Sequence, residues 1–438
     1  MLKVVSSCWA LFLGLGLIML GNGLQGSLLG LHASFKGFSI STTGIIMSGY
    51  FMGMVIGAVV VPKIVQRVGH VRCFGALASL ASTSILVHLT IVEPLVWWVL
   101  RIITGFAYAG LYVVTESWLN NIAKNETRGQ LLSFYMLVSL GGLAGGQFML
   151  NIASPEGSQL FILISVLVSI AVIPILISVS PAPAFEATEF VSIRQLIQVS
   201  PLGVFGTFSS GIASGAVFGI GAVYASIIGL GTEEISFFMG SLIIGGIVMQ
   251  YPIGWLSDIF GRRRMIILTC FIGGVLSFSA SMVVAEGLMI YVQVALIGGL
   301  SLPLYSLCTA HTNDYLNPSQ MVAASGTLVM ANGLGATMGA PVAAYAMELT
   351  GPHALFMTIG ISFTIVCIFA IIRTTQRSSV SVEDQGDFVP LAPTPTSAGF
   401  NPDLELEEIE AALDVGKEEI HESFGELVEE LKLDDEGG

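Results

Sequence analysis

Twelve stretches of this chain are apolar over about the 20 residues that a helix needs to cross the hydrocarbon core of a bilayer. They lie at 4–31, 41–61, 71–92, 94–118, 131–152, 159–180, 200–229, 235–257, 265–286, 288–310, 321–347 and 352–373. Inside hydrocarbon, backbone N–H and C=O groups find partners only within the protein, so such a chain is confined to a bundle of spanning helices. Composition agrees: of 438 residues, 54% are apolar and 11% charged, against about 25% charged in soluble globular chains. That balance excludes a soluble enzyme, a nucleic-acid binder and a disordered scaffold. The apolar run after Lys3 is too long for a signal-peptide core and shows no good cleavage site, so it reads as the first span.

The net charge of −14 is unevenly spread. Residues 1–377 hold 12 acids and 14 bases, whereas residues 378–438 hold 18 acids and only two bases, Lys417 and Lys432. An inside N-terminus puts Lys3, Lys63, Arg67, Arg72, Lys124, Arg128, Arg194, Arg262, Arg263, Arg264, Arg373 and Arg377 on the inner side. Lys36 alone falls outside. The positive-inside bias therefore predicts a multi-pass protein of the cytoplasmic (inner) membrane of a bacterial-style cell, with both termini cytoplasmic. The longest connector, 181–199, carries Pro181, Pro183, Glu186, Glu189 and Arg194 and separates two six-helix halves, 1–180 and 200–377.

The halves are related. An offset of 192 residues places Gly14 on Gly206, Gly23 on Gly215, Gly53 on Gly245, Gly69 on Gly261 and Arg72 on Arg264. One residue more aligns Leu111-Tyr112 with Leu304-Tyr305, Asn120 with Asn313, Gly142 with Gly335 and Gly146 with Gly339. Two such halves with both termini on one side imply a parallel repeat about an axis along the membrane normal.

The stretch Gly254-Trp255-Leu256-Ser257-Asp258-Ile259-Phe260-Gly261-Arg262-Arg263-Arg264 resembles the inter-helix signature of the major facilitator superfamily, Gly-x-x-x-Asp-(Arg/Lys)-x-Gly-Arg-(Arg/Lys). The first-half copy keeps Arg67, Gly69 and Arg72 but has Pro62 in place of the first glycine and Gln66 in place of the aspartate. Arg101, with Gly105 four residues on, resembles the family's span-four arginine motif. The run Gly141 to Gly146 resembles the span-five motif of its proton antiporters, with Gly142 where the proline belongs. Asn22-Gly23-Leu24 and Thr115-Glu116-Ser117 resemble the YcaD-like branch. The resemblance covers residues 1–377. It implies an all-α membrane protein of twelve transmembrane helices in two pseudo-symmetric halves, with spans 1, 4, 7 and 10 around a central cavity. It also implies secondary active transport of a small organic solute by alternating access, proton coupling at Arg101, and a cytoplasmic latch at Asp258, Arg262, Arg263 and Arg264 with Arg67 and Arg72.

Physical chemistry leaves alternatives beside these roles. Asp258 can instead cap the ninth span, and the arginines can serve topology alone. Arg101 is the one base that must lie within the apolar layer, where a charge is costly and marks function or a partner, unless it snorkels to the outer rim near Glu93. Glu116 lies fifteen residues further along the same helix, about 22 Å by helical rise. There it either braces a gate with Arg128 or titrates. No other carboxylate falls clearly at mid-membrane, which weighs against a proton relay. The remaining polar groups of the spans are Asn22, Gln25, Tyr108, Tyr112, Gln147, Asn151, Tyr224, Gln250, Gln293, Tyr305 and Asn332. They either line a substrate cavity or bind helices to one another. Amides and phenols with one arginine suit a neutral or anionic organic solute and not a multivalent cation.

Cys8, Cys73, Cys270, Cys308 and Cys367 are scattered and read as packing. His88 and His311 read as structural groups. With no metal-ligand cluster, P-loop lysine or G-x-S-x-G, the expectation is no cofactor, no metal and no enzyme. Residues 378–402, with Pro390, Pro393 and Pro395, read as a flexible linker. In residues 403–438, Leu406, Ile409, Leu413, Ile420, Phe424, Leu427 and Leu431 place an apolar stripe on an acidic helix. That tail either docks a protein partner, pairs with another tail, folds against the basic inner face of its own carrier, or stays solvated. The rival to a carrier is a transporter-shaped sensor that signals through the acidic tail.

Overall fold

The computed structural model describes residues 8–122, 125–177, 191–283, 286–377, 380–386 and 388–391, and all regular structure among them is helical. The first half comprises α1 (Trp9–Phe35), α2 (Ile40–Val68), α3 (His70–Thr90), α4 (Pro94–Ile122), α5 (Asn125–Phe148) and α6 (Gln159–Ile177, interrupted at Ala171). The second comprises α7 (Pro201–Ile227), α8 (Thr232–Phe260), α9 (Arg262–Met282), α10 (Leu288–Asn313), α11 (Pro318–Thr350) and α12 (Ala354–Gln376). A short helix, Ile193–Val199, leads into α7. Among the described residues, eleven helices are long and apolar enough to cross a membrane. The acidic stretch 403–438 lies outside the described residues.

The helices run past the charges at which the apolar stretches end. Expected to stop near residues 61 and 257, α2 and α8 continue to Val68 and Phe260, through Pro62 in the first case. Each then stops at a glycine, Gly69 or Gly261, with φ of 87°. That left-handed backbone is open to glycine without a steric penalty and turns the chain straight into α3 or α9. Lys63, Arg67 and Asp258 therefore sit on helices. Asp258 does not cap α9, whose N-cap is Gly261 with no side-chain cap bond.

Lipid offers no hydrophobic drive between helices, so association depends on close packing at small residues. The repeat-matched glycines supply it. A Cβ on Gly53 or Gly105 would collide with the carbonyl of Ile102 or Tyr50, and so the α2 and α4 backbones touch. Gly245 and Gly298 meet the carbonyls of Ala295 and Leu242 in the same way between α8 and α10. Gly23 and Gly146 join α1 to α5 against the carbonyls of Leu143 and Leu20, and Gly215 and Gly339 join α7 to α11 against those of Ala336 and Ile212. The sequence repeat is thus a repeat of backbone contacts.

Between the halves, contacts gather at the end of the bundle away from the termini. Ser41 N–H donates to Glu348 Oε2 at 2.8 Å, and Asn151 Nδ2 donates to Ser236 Oγ at 2.8 Å. Phe148 covers Gly240 and Ala344 meets Gly44. That end is closed.

Replacing Gly105 or its counterpart Gly298 with valine forces two backbones apart, at a cost of about 1–3 kcal/mol by analogy with overpacked cores. Both variants should melt at lower temperature in detergent. Gly141→Ala, where a Cβ meets nothing within 4 Å, should not.

Candidate functional site: a central cavity and a charged gate

A cavity of about 230 Å³ lies between the halves, lined from the first by α1, α2, α4 and α5 and from the second by α7, α8, α10 and α11. Of the residues expected there, it brings together Asn22, Arg101, Tyr112, Gln147, Gln250, Tyr305 and Asn332. It does not include Gln25, Tyr108 or Tyr224. These three are almost wholly buried in helix packing, Tyr224 with its ring edge-on to Phe356. Asn151 clasps α8 and Gln293 also lies off the cavity.

The lining amides are helix glue as well. Asn22 Nδ2 donates to Tyr50 Oη at 3.0 Å. Gln147 accepts from Ser27 Oγ at 2.5 Å and donates to the Gly23 carbonyl at 2.7 Å, fastening α5 to α1. Asn332 donates to the Thr207 carbonyl at 3.0 Å, fastening α11 to α7. Gln250 donates to Ser306 Oγ at 3.2 Å. These bonds hold the polar wall in place.

Arg101 does not snorkel. It is buried on α4, with its guanidinium carbon 4.6 Å from the ring centroid of Tyr50 and its Nε without a hydrogen-bond partner. No described carboxylate lines the cavity or pairs with this arginine. The local geometry follows from Gly105. Its contact with the Tyr50 carbonyl brings α2 against α4, and Arg101, one turn earlier on the same face, meets the tyrosine ring there. Tyr50 was missed in the sequence, as were Tyr135, Ser139, Ser210 and Ser214, which also line the cavity. The glycine pairing around Tyr50 was the signal available for the first.

At the termini end the second half carries an assembled charge cluster. Arg262 is buried at the start of α9, with Nη1 3.2 Å from Asp314 Oδ1 and Nη2 4.0 Å from Asp258 Oδ1. Arg263 donates to the Arg377 carbonyl at 2.5 Å and to Tyr315 Oη at 3.2 Å. The Arg377 guanidinium stacks 4.4 Å over the Tyr315 ring. Arg67, Arg72 and Arg264 are exposed. Glu116 is fully buried on α4 and accepts a hydrogen bond from Tyr135 Oη. The side chain of Arg128, its expected brace, lies outside the described residues. Sequence reasoning also missed Asp314. With Asp258 it is one of only two acids on the basic side among residues 200–377, which marks it as the second partner for buried arginine.

The sequence model described as Major Facilitator Superfamily matches residues 11–202 and 203–412. A protein of Escherichia fergusonii described as uncharacterized MFS-type transporter YcaD is 26% identical over 371 residues, 84% of this chain and 95% of that protein. A second MFS-type transporter, from Enterobacter sp. strain 638, is 27% identical over 354 residues, 80% of this chain and 91% of its own length. Among solved structures, the nucleoside transporter NupG superposes with a TM-score of 0.67 at 14% identity, covering 84% of this chain and all of that one. A bacterial homologue of the human lysosomal transporter Spinster, in an inward-facing and unoccupied conformation, gives 0.68 at 11% identity over 86% of this chain and 98% of that one.

The two carboxylates at Arg262 are not equivalent. Removing one partner of a buried ion pair costs about 3–5 kcal/mol, and Asp314 is both nearer and more buried than Asp258, which is 35% exposed. Asp314→Ala should therefore lower the melting temperature in detergent by clearly more than Asp258→Ala does.

Proposed function

The chain belongs to the Major Facilitator Superfamily, and from that premise we propose that it carries a small neutral or anionic organic solute across the cytoplasmic membrane by alternating access. The family and the related folds are those of membrane solute transporters, with a lipid bilayer as surroundings and a small molecule as substrate. The observation that carries the substrate class is Arg101, a buried cation facing the cavity with no described carboxylate beside it. A carboxylate or another polar anionic group on the solute supplies the missing partner, and Tyr50 and Asn22 complete a hydrogen-bonding edge. A multivalent cation meets repulsion at the same place.

Alternation needs two closed ends. The far end is closed by Ser41 with Glu348 and Asn151 with Ser236. In the opposite state these contacts open and the termini ends approach, with Arg67, Arg72 and Arg128 of the first half joining the cluster at Asp258, Arg262, Arg263 and Arg264. Glu116, held by Tyr135 beneath the cavity, braces that gate. Proton coupling belongs to the same proposal, with Arg101 as the coupling residue.

The test begins with melting curves of the purified protein against a library of metabolites, followed by flux of each stabilising compound in proteoliposomes. We expect neutral or anionic solutes to raise the melting temperature, Arg101→Ala to remove the shift for the anionic ones, and flux to respond to an imposed pH gradient. Stabilisation by multivalent cations alone, or saturable binding without flux, overturns the proposal; the second outcome favours a sensor.

A further inference from the structure

Among the described residues, one member of the cavity wall comes from outside the twelve helices: Leu391. Beyond α12 the chain doubles back under the second half. The Arg377 carbonyl accepts from Arg263 Nη1 at 2.5 Å, and the Gly386 carbonyl accepts from the Arg262 guanidinium. Phe388 N–H donates to Asp258 Oδ2 at 3.4 Å. Its ring covers Gly254 so closely that a Cβ there would collide with it. Leu391 and Ser306 then exchange two hydrogen bonds, from Leu391 N–H at 3.1 Å and to the Leu391 carbonyl at 2.8 Å. The Leu391 side chain is 4% exposed and packs on Tyr305 and Val329 at the cavity.

We propose that residues 380–386 and 388–391 belong to an inhibitory strap, an internal ligand that occupies the termini-side mouth of the cavity and must withdraw before the transporter can close on that side. The proposal rests on the reading of this cavity as the transport site. Three features point to a built contact. The segment has no ladder of its own, yet its backbone is bonded at Gly386, Phe388 and Leu391 to side chains of α8, α9 and α10. Its partners belong to the second half, so it rides with that half as a unit. The seat for Phe388 is the first glycine of the loop signature, whose first-half counterpart is Pro62. Asp258 and Arg262, the gate residues, are both engaged by the strap, and Leu391 fills space between α10 and α11 that the first half enters when the termini ends meet. Solute entry from that side and closure of that side both require its release.

A reporter cysteine at Ser214, in the cavity wall on α7, reads the occupancy directly. The five native cysteines are buried and give a low blank. In detergent-purified full-length protein, an aqueous maleimide should label Ser214→Cys slowly. Adding Leu391→Asp, adding Phe388→Ala, or ending the chain after Arg377 should each speed labelling about tenfold, the scale set by burial of one leucine side chain. A chain ended after Leu391 should stay slow, which separates the strap from the acidic stretch beyond it. Equal rates in the intact and strap-altered proteins overturn the proposal, as does fast labelling of the chain ended after Leu391. Flux assays on the same variants keep the two readings apart. Faster labelling with no flux of any solute removes the carrier and leaves the strap standing, and flux with unchanged labelling does the reverse.

Discussion

Backbone contact at paired glycines is the constraint on which the rest of this bundle depends. Water expels apolar side chains into a soluble core, but lipid does not, so two apolar helices stay together only where their surfaces fit closely. At Gly53 with Gly105, and again at Gly245 with Gly298, helix backbones touch with no side chain between them. These contacts fix which residues of α4 and α10 turn inward. Arg101 faces Tyr50 because the glycine one turn later is pressed against the Tyr50 carbonyl. Charged side chains within a membrane bundle face its interior or a cavity, and Arg101 does so here.

The two halves share this packing but not their electrostatics. In the second half Arg262 is buried between two acids and Arg263 is tied to the end of α12. In the first half the positions that match Arg262 and Arg263 are His70 and Val71, and the aspartate position is held by Gln66, which carries no charge. An uncharged amide exerts no Coulombic hold on an arginine, so Gln66 cannot take the part that Asp258 takes beside Arg262.

Much of this was legible in the sequence. The apolar stretches located all twelve helices, and the repeat offset marked glycines that prove to be contact points. Helix ends were less legible: α2 and α8 pass several polar residues because the signal that stops them is backbone conformation at Gly69 and Gly261. Cavity residues were legible only in part. Helices that are apolar nearly all round carry no stripe to show which face turns inward, and so Gln25, Tyr108 and Tyr224 could not be told from Asn22, Tyr112 and Tyr305. Their separation is set by neighbours in space. Leu391 was beyond reach for the same reason. It is one apolar residue in a polar, proline-bearing stretch, and only the third dimension shows the pocket between Tyr305 and Val329.

The asymmetry of the gate and the position of that stretch are connected. A segment leaving α12 emerges beside Arg263 and Tyr315, within reach of the charge cluster. Backbone carbonyls and amides of an irregular segment need partners when they are drawn out of water. At the gate, Arg262 offers a donor and Asp258 an acceptor, while the hydroxyl of Ser306 offers both. In the proposed transport cycle the same charges complete a latch when the halves meet and satisfy the segment when the halves are apart. Under the strap proposal the first half and the strap draw on the same two charged groups, Asp258 and Arg262.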